Sequence, residues 1–172
     1  MENSPGGARH VPGRGGGRLD NPGLYSALYL SDAASGAIAE AFGRFAEWSP
    51  SILEGSPSLP GSSRAVARFQ LADDAMVCNL DDAGQLEALR LRPSDVVTRD
   101  YVRSRAWARR IYEQRKWIGA RWWSYYDPQW ASFGLWNTRQ LKLEDVRVLR
   151  FDDSALREAS QTIARRLVFG RG

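Results

Sequence analysis

Three side chains in this sequence have types and settings that suit an anionic, sugar-bearing ligand. Arg18 closes the run GRGGGR. Glycines on its N-terminal side let a backbone approach a ligand closely and turn amides toward an anion. A guanidinium grips phosphate oxygens through two parallel hydrogen bonds. A solvated arginine in a flexible segment accounts for the same residues. The run is not a Walker loop, because no Gly-Lys-Ser/Thr follows, and it lacks the strand-then-helix setting of a dinucleotide fingerprint. Glu40 lies in an apolar helical pattern but off its buried stripe. A carboxylate in a cleft holds a ribose hydroxyl or stabilises positive charge growing on a sugar carbon, and a solvated helix glutamate is the plain alternative. Ser124, in RWWSYYDPQW, follows a strand pattern and precedes a turn at Asp127-Pro128. Its hydroxyl suits a phosphate or ribose contact, or simply the turn.

Tyr25 and Tyr29 are four apart in LYSALYL, so on a strand they point to one side. A tyrosine at a strand end stacks on a flat heterocycle and still offers its hydroxyl; core packing is the other reading. Six of the seven tryptophans fall between Trp107 and Trp136. They read as core and partner surface, although bases also stack on exposed indoles. Arg103, Arg105, Arg109, Arg110, Arg115 and Lys116 form a basic helix face, which is either solvated or a surface for nucleic acid or an acidic partner.

Bulk composition narrows the field. With 24 basic and 20 acidic residues the net charge of +4 favours an anionic partner without choosing one. Cys78 and His10 are the single cysteine and histidine. An internal disulfide and a Cys/His zinc site are therefore excluded, which fits a reducing cytoplasm. A Ser-His-Asp triad would need His10, in a stretch too rich in Gly and Pro to hold it. No apolar run has the length of a membrane span, and the N-terminus has no signal-peptide hydrophobic stretch.

The elements that must position these groups follow from pattern. Residues 1–23 carry seven of the sixteen glycines and three of the eight prolines. Residues 1–13 are expected to be disordered, with one domain over 14–172. Strands are expected at 24–30, 65–72, 75–80, 118–123, 132–137 and 146–151, with Asp73-Asp74 as a turn. Helices are expected at 33–46, 82–91, 99–116 and 154–168, and 54–64 is a loop. In the first helix Ala34, Ile38, Ala41, Phe42 and Phe45 form the buried face; in the third, Tyr101, Trp107, Ala108, Ile111 and Tyr112; in the last, Leu156, Ile163 and Leu167. Several strands are not joined by helices, so the fold class is α+β.

Taken together, the pieces resemble the RES domain, a family named for its arginine, glutamate and serine. The resemblance rests on Arg18 after glycines, ALYLSDAASGAIAE ending on Glu40, CNLDDAGQLEAL, and WIGARWWS with Arg121 and Ser124. It spans roughly residues 15–151. It implies an ADP-ribosyltransferase-like fold, a mixed sheet core flanked by helices, and an enzyme that degrades NAD⁺ as the toxin of a RES–Xre toxin–antitoxin module. By that analogy Arg18 binds the pyrophosphate, and Tyr29, or else Tyr25, contacts the nicotinamide or its ribose. Glu40 steadies the oxocarbenium-like transition state or orients the ribose, and Ser124 with Arg121 holds the ligand. NAD⁺ is then the substrate, no metal is needed, and the acceptor is water, phosphate or a protein side chain. The partner is an Xre-type helix-turn-helix antitoxin, through which any DNA contact is made, and a homodimer within the complex is a further expectation. Two other readings stay open: a nucleic-acid-binding module using helix 99–116 and the Trp-rich segment 117–136, and a catalytically inactive copy.

Overall fold

The computed structural model describes residues 17–169; the expected disordered segment, His10 and most of the glycine run lie outside them. Among the described residues eight strands and five α-helices follow in chain order: β1 Leu28–Ser31, α1 Ala34–Phe42, β2 Glu47–Trp48, β3 Ala65–Leu71, β4 Val77–Asn79, α2 Ala83–Ala88, α3 Pro93–Val96, α4 Tyr101–Glu113, β5 Gly119–Trp123, β6 Ala131–Leu135, β7 Leu141–Val148, α5 Ser154–Thr162 and β8 Arg166–Leu167. A 3₁₀ turn at Pro50–Leu53 follows β2.

The central sheet runs β1-β6-β5-β4. β1, β6 and β5 pair antiparallel, while β4 joins β5 in parallel. A parallel neighbour needs a crossover, and α2, α3 and α4 supply it. The result is the α+β class with a mixed sheet. β3 pairs with β7 in a separate antiparallel ribbon, bulged between Arg68 and Phe69, and β2 pairs with β8 in parallel.

Register assigns the two faces of the central sheet. Tyr29 lies opposite Gly134, Gly134 opposite Ala120, and Ala120 opposite Cys78; Ser31 and Trp122 lie opposite Ser132. Alternation puts all of these on one face. There a core forms with Leu19, Val96, Trp107, Ala108 and Ile111, all essentially sealed from solvent. Leu30, Phe133 and Arg121 fall on the other face by the same rule. A second core joins α1 to α5 through Ile38, Phe42, Trp48, Trp130 and Leu156.

Helix starts follow their caps. The Asp82, Asp100 and Asp153 side chains accept from the amides of Gln85, Arg103 and Ala155, so α2, α4 and α5 begin where an acceptor satisfies an orphan donor.

Several expectations are corrected. The first strand starts at Leu28, because residues 21–25 form a turn closed by an Asn21–Tyr25 bridge, with Leu24 exposed. α1 ends at Phe42 and buries Ser35, Gly36, Ile38, Ala39 and Phe42, leaving Ala41 and Phe45 exposed. The α4 stripe is Ser104, Trp107, Ala108 and Ile111, without Tyr101. The Asp73-Asp74 turn is present but does not make a hairpin, since β3 and β4 enter different sheets. The last helix stops at Thr162; Ala164 takes a positive φ of 51° and the chain continues as β8. The strand expected at 146–151 is Leu141–Val148. Among the described residues no helix is long and apolar enough to cross a membrane.

Candidate functional site

Arg18 is carried by a tight turn. The Asp20 amide donates to the Gly17 carbonyl at 3.3 Å, and the Gly17 amide donates to Asp20 Oδ2 at 2.7 Å. Leu19 is fully buried and anchors this turn on the sheet. The anchor needs Gly134, because a Cβ there would overlap Leu19 Cδ1. With the turn fixed, Arg18 Nη1 donates to the carbonyls of Val96 at 2.6 Å and Thr98 at 2.8 Å. Burial pulls the pKa of Arg18 below its ordinary value, opposed by the nearby Tyr101, Glu40 and Tyr29. An arginine so placed stays a cation near neutral pH.

Tyr29 locks the same turn. Its hydroxyl accepts from the Leu19 amide at 2.8 Å and donates to Asp20 Oδ1 at 2.9 Å. Burial and the adjacent Asp20 carboxylate push its pKa up, so it remains a donor. A Cβ at Gly17 would overlap this hydroxyl, so the space left by that glycine admits Tyr29. The hydroxyl is thus committed to the Arg18 turn, while the residue as a whole remains 41% exposed.

Glu40 and Ser124 come from elements pinned to one hairpin. At the elbow between β1 and α1, Ser31 Oγ donates to the Ala131 carbonyl at 3.0 Å, and Asp32 Oδ1 accepts from the Ala131 amide at 2.9 Å. The far end of α1 is held by Arg165, whose Nε and Nη2 donate to the Gly43 carbonyl at 3.0 and 2.8 Å. Cations favour a helix C-terminus. Ser124 closes its loop by donating its amide to the Trp130 carbonyl at 2.7 Å, one residue before Ala131. The outcome is direct: Ser124 Oγ donates to Glu40 Oε1 at 2.7 Å. Ser124 Oγ also accepts from the Tyr126 amide at 3.1 Å. Ser124 is buried, whereas Glu40 is exposed. Tyr126 has its pKa raised by burial and by the Glu40 carboxylate.

Two pairs are therefore brought together, Glu40 with Ser124 by a hydrogen bond and Arg18 with Tyr29 through one turn, and the Glu40 carboxylate acts on the Arg18 charge. Tyr25 and Arg121 join neither pair. Tyr25 packs its ring on Tyr112 and Trp136, with centroids 4.6 and 5.3 Å away, and its hydroxyl accepts from Asn21 Nδ2 at 2.8 Å. Burial pushes its pKa up to about 12. It buttresses the turn from behind. Arg121 projects from the opposite sheet face, where Nη1 pairs with Asp81 and with Asn79 Oδ1. Strand alternation turns Arg121 away from the face of Ala120 and Trp122, and Ser124 lies just past the end of β5, so the two separate despite standing in one motif.

Asp20, Ser104 and Tyr126 were missed by sequence reasoning. Tyr126 carries a signal, standing two residues after Ser124; Asp20 and Ser104 carry none. A cavity of about 1470 Å³ opens between the opposite sheet face, α1 and the β3–β7 ribbon. Arg18, Glu40, Arg121 and Ser124 do not line it. Among the described residues no group of three His, Cys, Asp or Glu side chains is arranged to hold a metal ion.

The geometry offers a cation for a phosphate, an exposed tyrosine and a carboxylate oriented by a buried hydroxyl. The RES domain family model matches residues 6–157. A chain of the M. tuberculosis MbcT–MbcA toxin–antitoxin complex is similar in fold, with a TM-score of 0.59 and 17% identity, over 87% of this chain and 77% of that one. No curated protein matches the chain.

Proposed function

From the premise that this chain belongs to the RES domain family, we propose that it is the toxin of a toxin–antitoxin module and depletes NAD⁺ by breaking the nicotinamide–ribose bond. One observation carries this reading: Ser124 Oγ donates to Glu40 Oε1 at 2.7 Å across 84 residues of sequence, and the Glu40 carboxylate acts on the charge of Arg18.

The chemistry asks little else of the protein. The ribose C1′–N bond breaks with its electron pair going to the pyridine nitrogen. Nicotinamide leaves neutral, so no general acid is required. Positive charge develops at C1′ and is stabilised by the Glu40 carboxylate, which Ser124 holds in one orientation. Arg18 binds the pyrophosphate, and its two carbonyl contacts fix the guanidinium beforehand. The acceptor oxygen then bonds to C1′ and loses its proton to solvent. With water the product is ADP-ribose; with phosphate it is the 1″-phosphate; with a side chain it is protein-linked.

The M. tuberculosis similarity supports an antitoxin partner, and we assign it the helix-turn-helix type. The nucleic-acid reading draws less support: Arg103 pairs with Asp95 at 2.8 Å and Arg109 with Glu113 at 2.7 Å, which removes charge from the basic helix face.

The test is nicotinamide release by purified protein, followed by chromatography. Wild type is expected to release it, and Glu40→Gln and Arg18→Ala to lose at least about 100-fold in kcat/KM. Folded wild-type protein that leaves NAD⁺ intact at high enzyme concentration refutes the enzymatic reading.

A further inference from the structure

α4 opens on a residue that its own stripe does not bury. Tyr101 is 42% exposed, although the helix behind it seals Ser104, Trp107, Ala108 and Ile111. Its place is set by Ser104, whose hydroxyl donates to the Arg18 carbonyl at 2.8 Å and to the Tyr101 carbonyl at 3.3 Å. The first turn of α4 therefore lies directly against the turn that carries Arg18. Arg105, one helical turn on, donates from Nε to the Gly17 carbonyl at 3.2 Å, and its guanidinium carbon sits 5.8 Å from the Tyr101 ring centroid. An open aromatic ring thus stands beside the proposed pyrophosphate clamp with a second guanidinium over it. Electrostatic coupling of Tyr101 to Arg18 agrees with this placement.

A dinucleotide bound with its reactive ribose at Glu40 and its pyrophosphate at Arg18 must place its second nucleoside beyond Arg18. An exposed tyrosine ring is a stacking platform for a base, and base–aromatic stacking tolerates any base because each has a π-face. We propose that Tyr101 stacks the adenine of NAD⁺, with Arg105 holding the ring from its side. This inference rests on the NAD⁺ reading of the site. It makes the adenine half a source of affinity without making it a source of specificity. The hypoxanthine and guanine analogues of NAD⁺ are expected to bind comparably.

Calorimetric binding of ADP-ribose and of nicotinamide mononucleotide, which lacks the adenosine half, tests it on wild type, Tyr101→Phe, Tyr101→Leu and Tyr101→Ala. Tyr101→Ala is expected to weaken ADP-ribose by about ten-fold and to leave nicotinamide mononucleotide alone, with Tyr101→Phe restoring the loss. Tyr101→Leu keeps apolar bulk, which guards against an unfolded alanine variant, and is expected to weaken ADP-ribose as well. Unchanged ADP-ribose affinity in Tyr101→Ala or Tyr101→Leu overturns the stacking role, while nicotinamide release by wild type keeps the enzymatic reading. Equal loss of both ligands also overturns it, because a base platform cannot affect a ligand without that base. Wild-type protein that binds neither ligand ends both readings together.

Discussion

Tyr29→Phe removes one oxygen and with it both hydrogen bonds that lock the Arg18 turn. The hydroxyl accepts from the Leu19 amide at 2.8 Å and donates to Asp20 Oδ1 at 2.9 Å. Leu19 is fully buried, so its N–H would lose its partner away from water. An orphaned buried donor costs about 1–3 kcal/mol, and a hydrogen bond to a charged acceptor contributes about 1.5–3 kcal/mol. Tyr29 is 41% exposed, so water recovers part of the second loss, and a total of about 2–3 kcal/mol is expected. For a chain of this size each kcal/mol moves Tm by about 2–4 °C. The variant should therefore melt about 4–12 °C lower. Circular dichroism melts of wild type and variant at one protein concentration measure it. Functionally the same loosening frees the turn beneath Arg18, so KM for NAD⁺ should rise more than kcat falls. A Tm within about 1 °C of wild type would show that the hydroxyl does not hold this turn, and the account of how Arg18 is positioned would fail.

Other perturbations follow from single contacts. Asp153→Ala removes both the α5 cap and the pair with Arg147, with an expected cost of about 1–3 kcal/mol in denaturant melts; Asp153→Asn keeps the cap and should lose less. The Asp153 carboxyl is held below its ordinary pKa by Arg147 first and by the Ala155 amide, so its contribution persists above the ordinary value and is lost as pH falls through the folded one. On the alkaline side, Tyr25 is raised from 10.0 to about 12 by burial. The folded state keeps a proton the unfolded chain releases, so stability falls as pH rises from 10.0 toward about 12; Tyr25→Phe should flatten Tm against pH over that range. Cys78 is fully buried with its thiol pushed up to about 11. It should resist thiol reagents at neutral pH in the native state, and its labelling should track global unfolding in denaturant.

What the sequence alone determined is local. Asp82, Asp100 and Asp153 announce three helix starts, because a cap involves only the next few amides. Glu40 can be placed off the buried stripe of α1 by counting helical turns, even though the stripe itself is rotated toward Ser35, Gly36 and Ala39. The RES motifs pick out Arg18, Glu40 and Ser124 together. Tertiary structure decided everything that depends on pairing. Period-two alternation says that a strand has two faces but not which neighbour it joins, so β3 could not be assigned to β7, nor β4 to β5. Tyr25 leaves the site because residues 21–25 turn before β1 begins, which moves it onto Tyr112 and Trp136. Arg121 leaves it because the register of β5 turns that side chain to the far face, toward Asn79 and Asp81. The 2.7 Å contact between Ser124 and Glu40 closes a loop of 84 residues, and such a contact exists only after the hairpin β5–β6 has fixed both the elbow of α1 and the strand end that carries the serine.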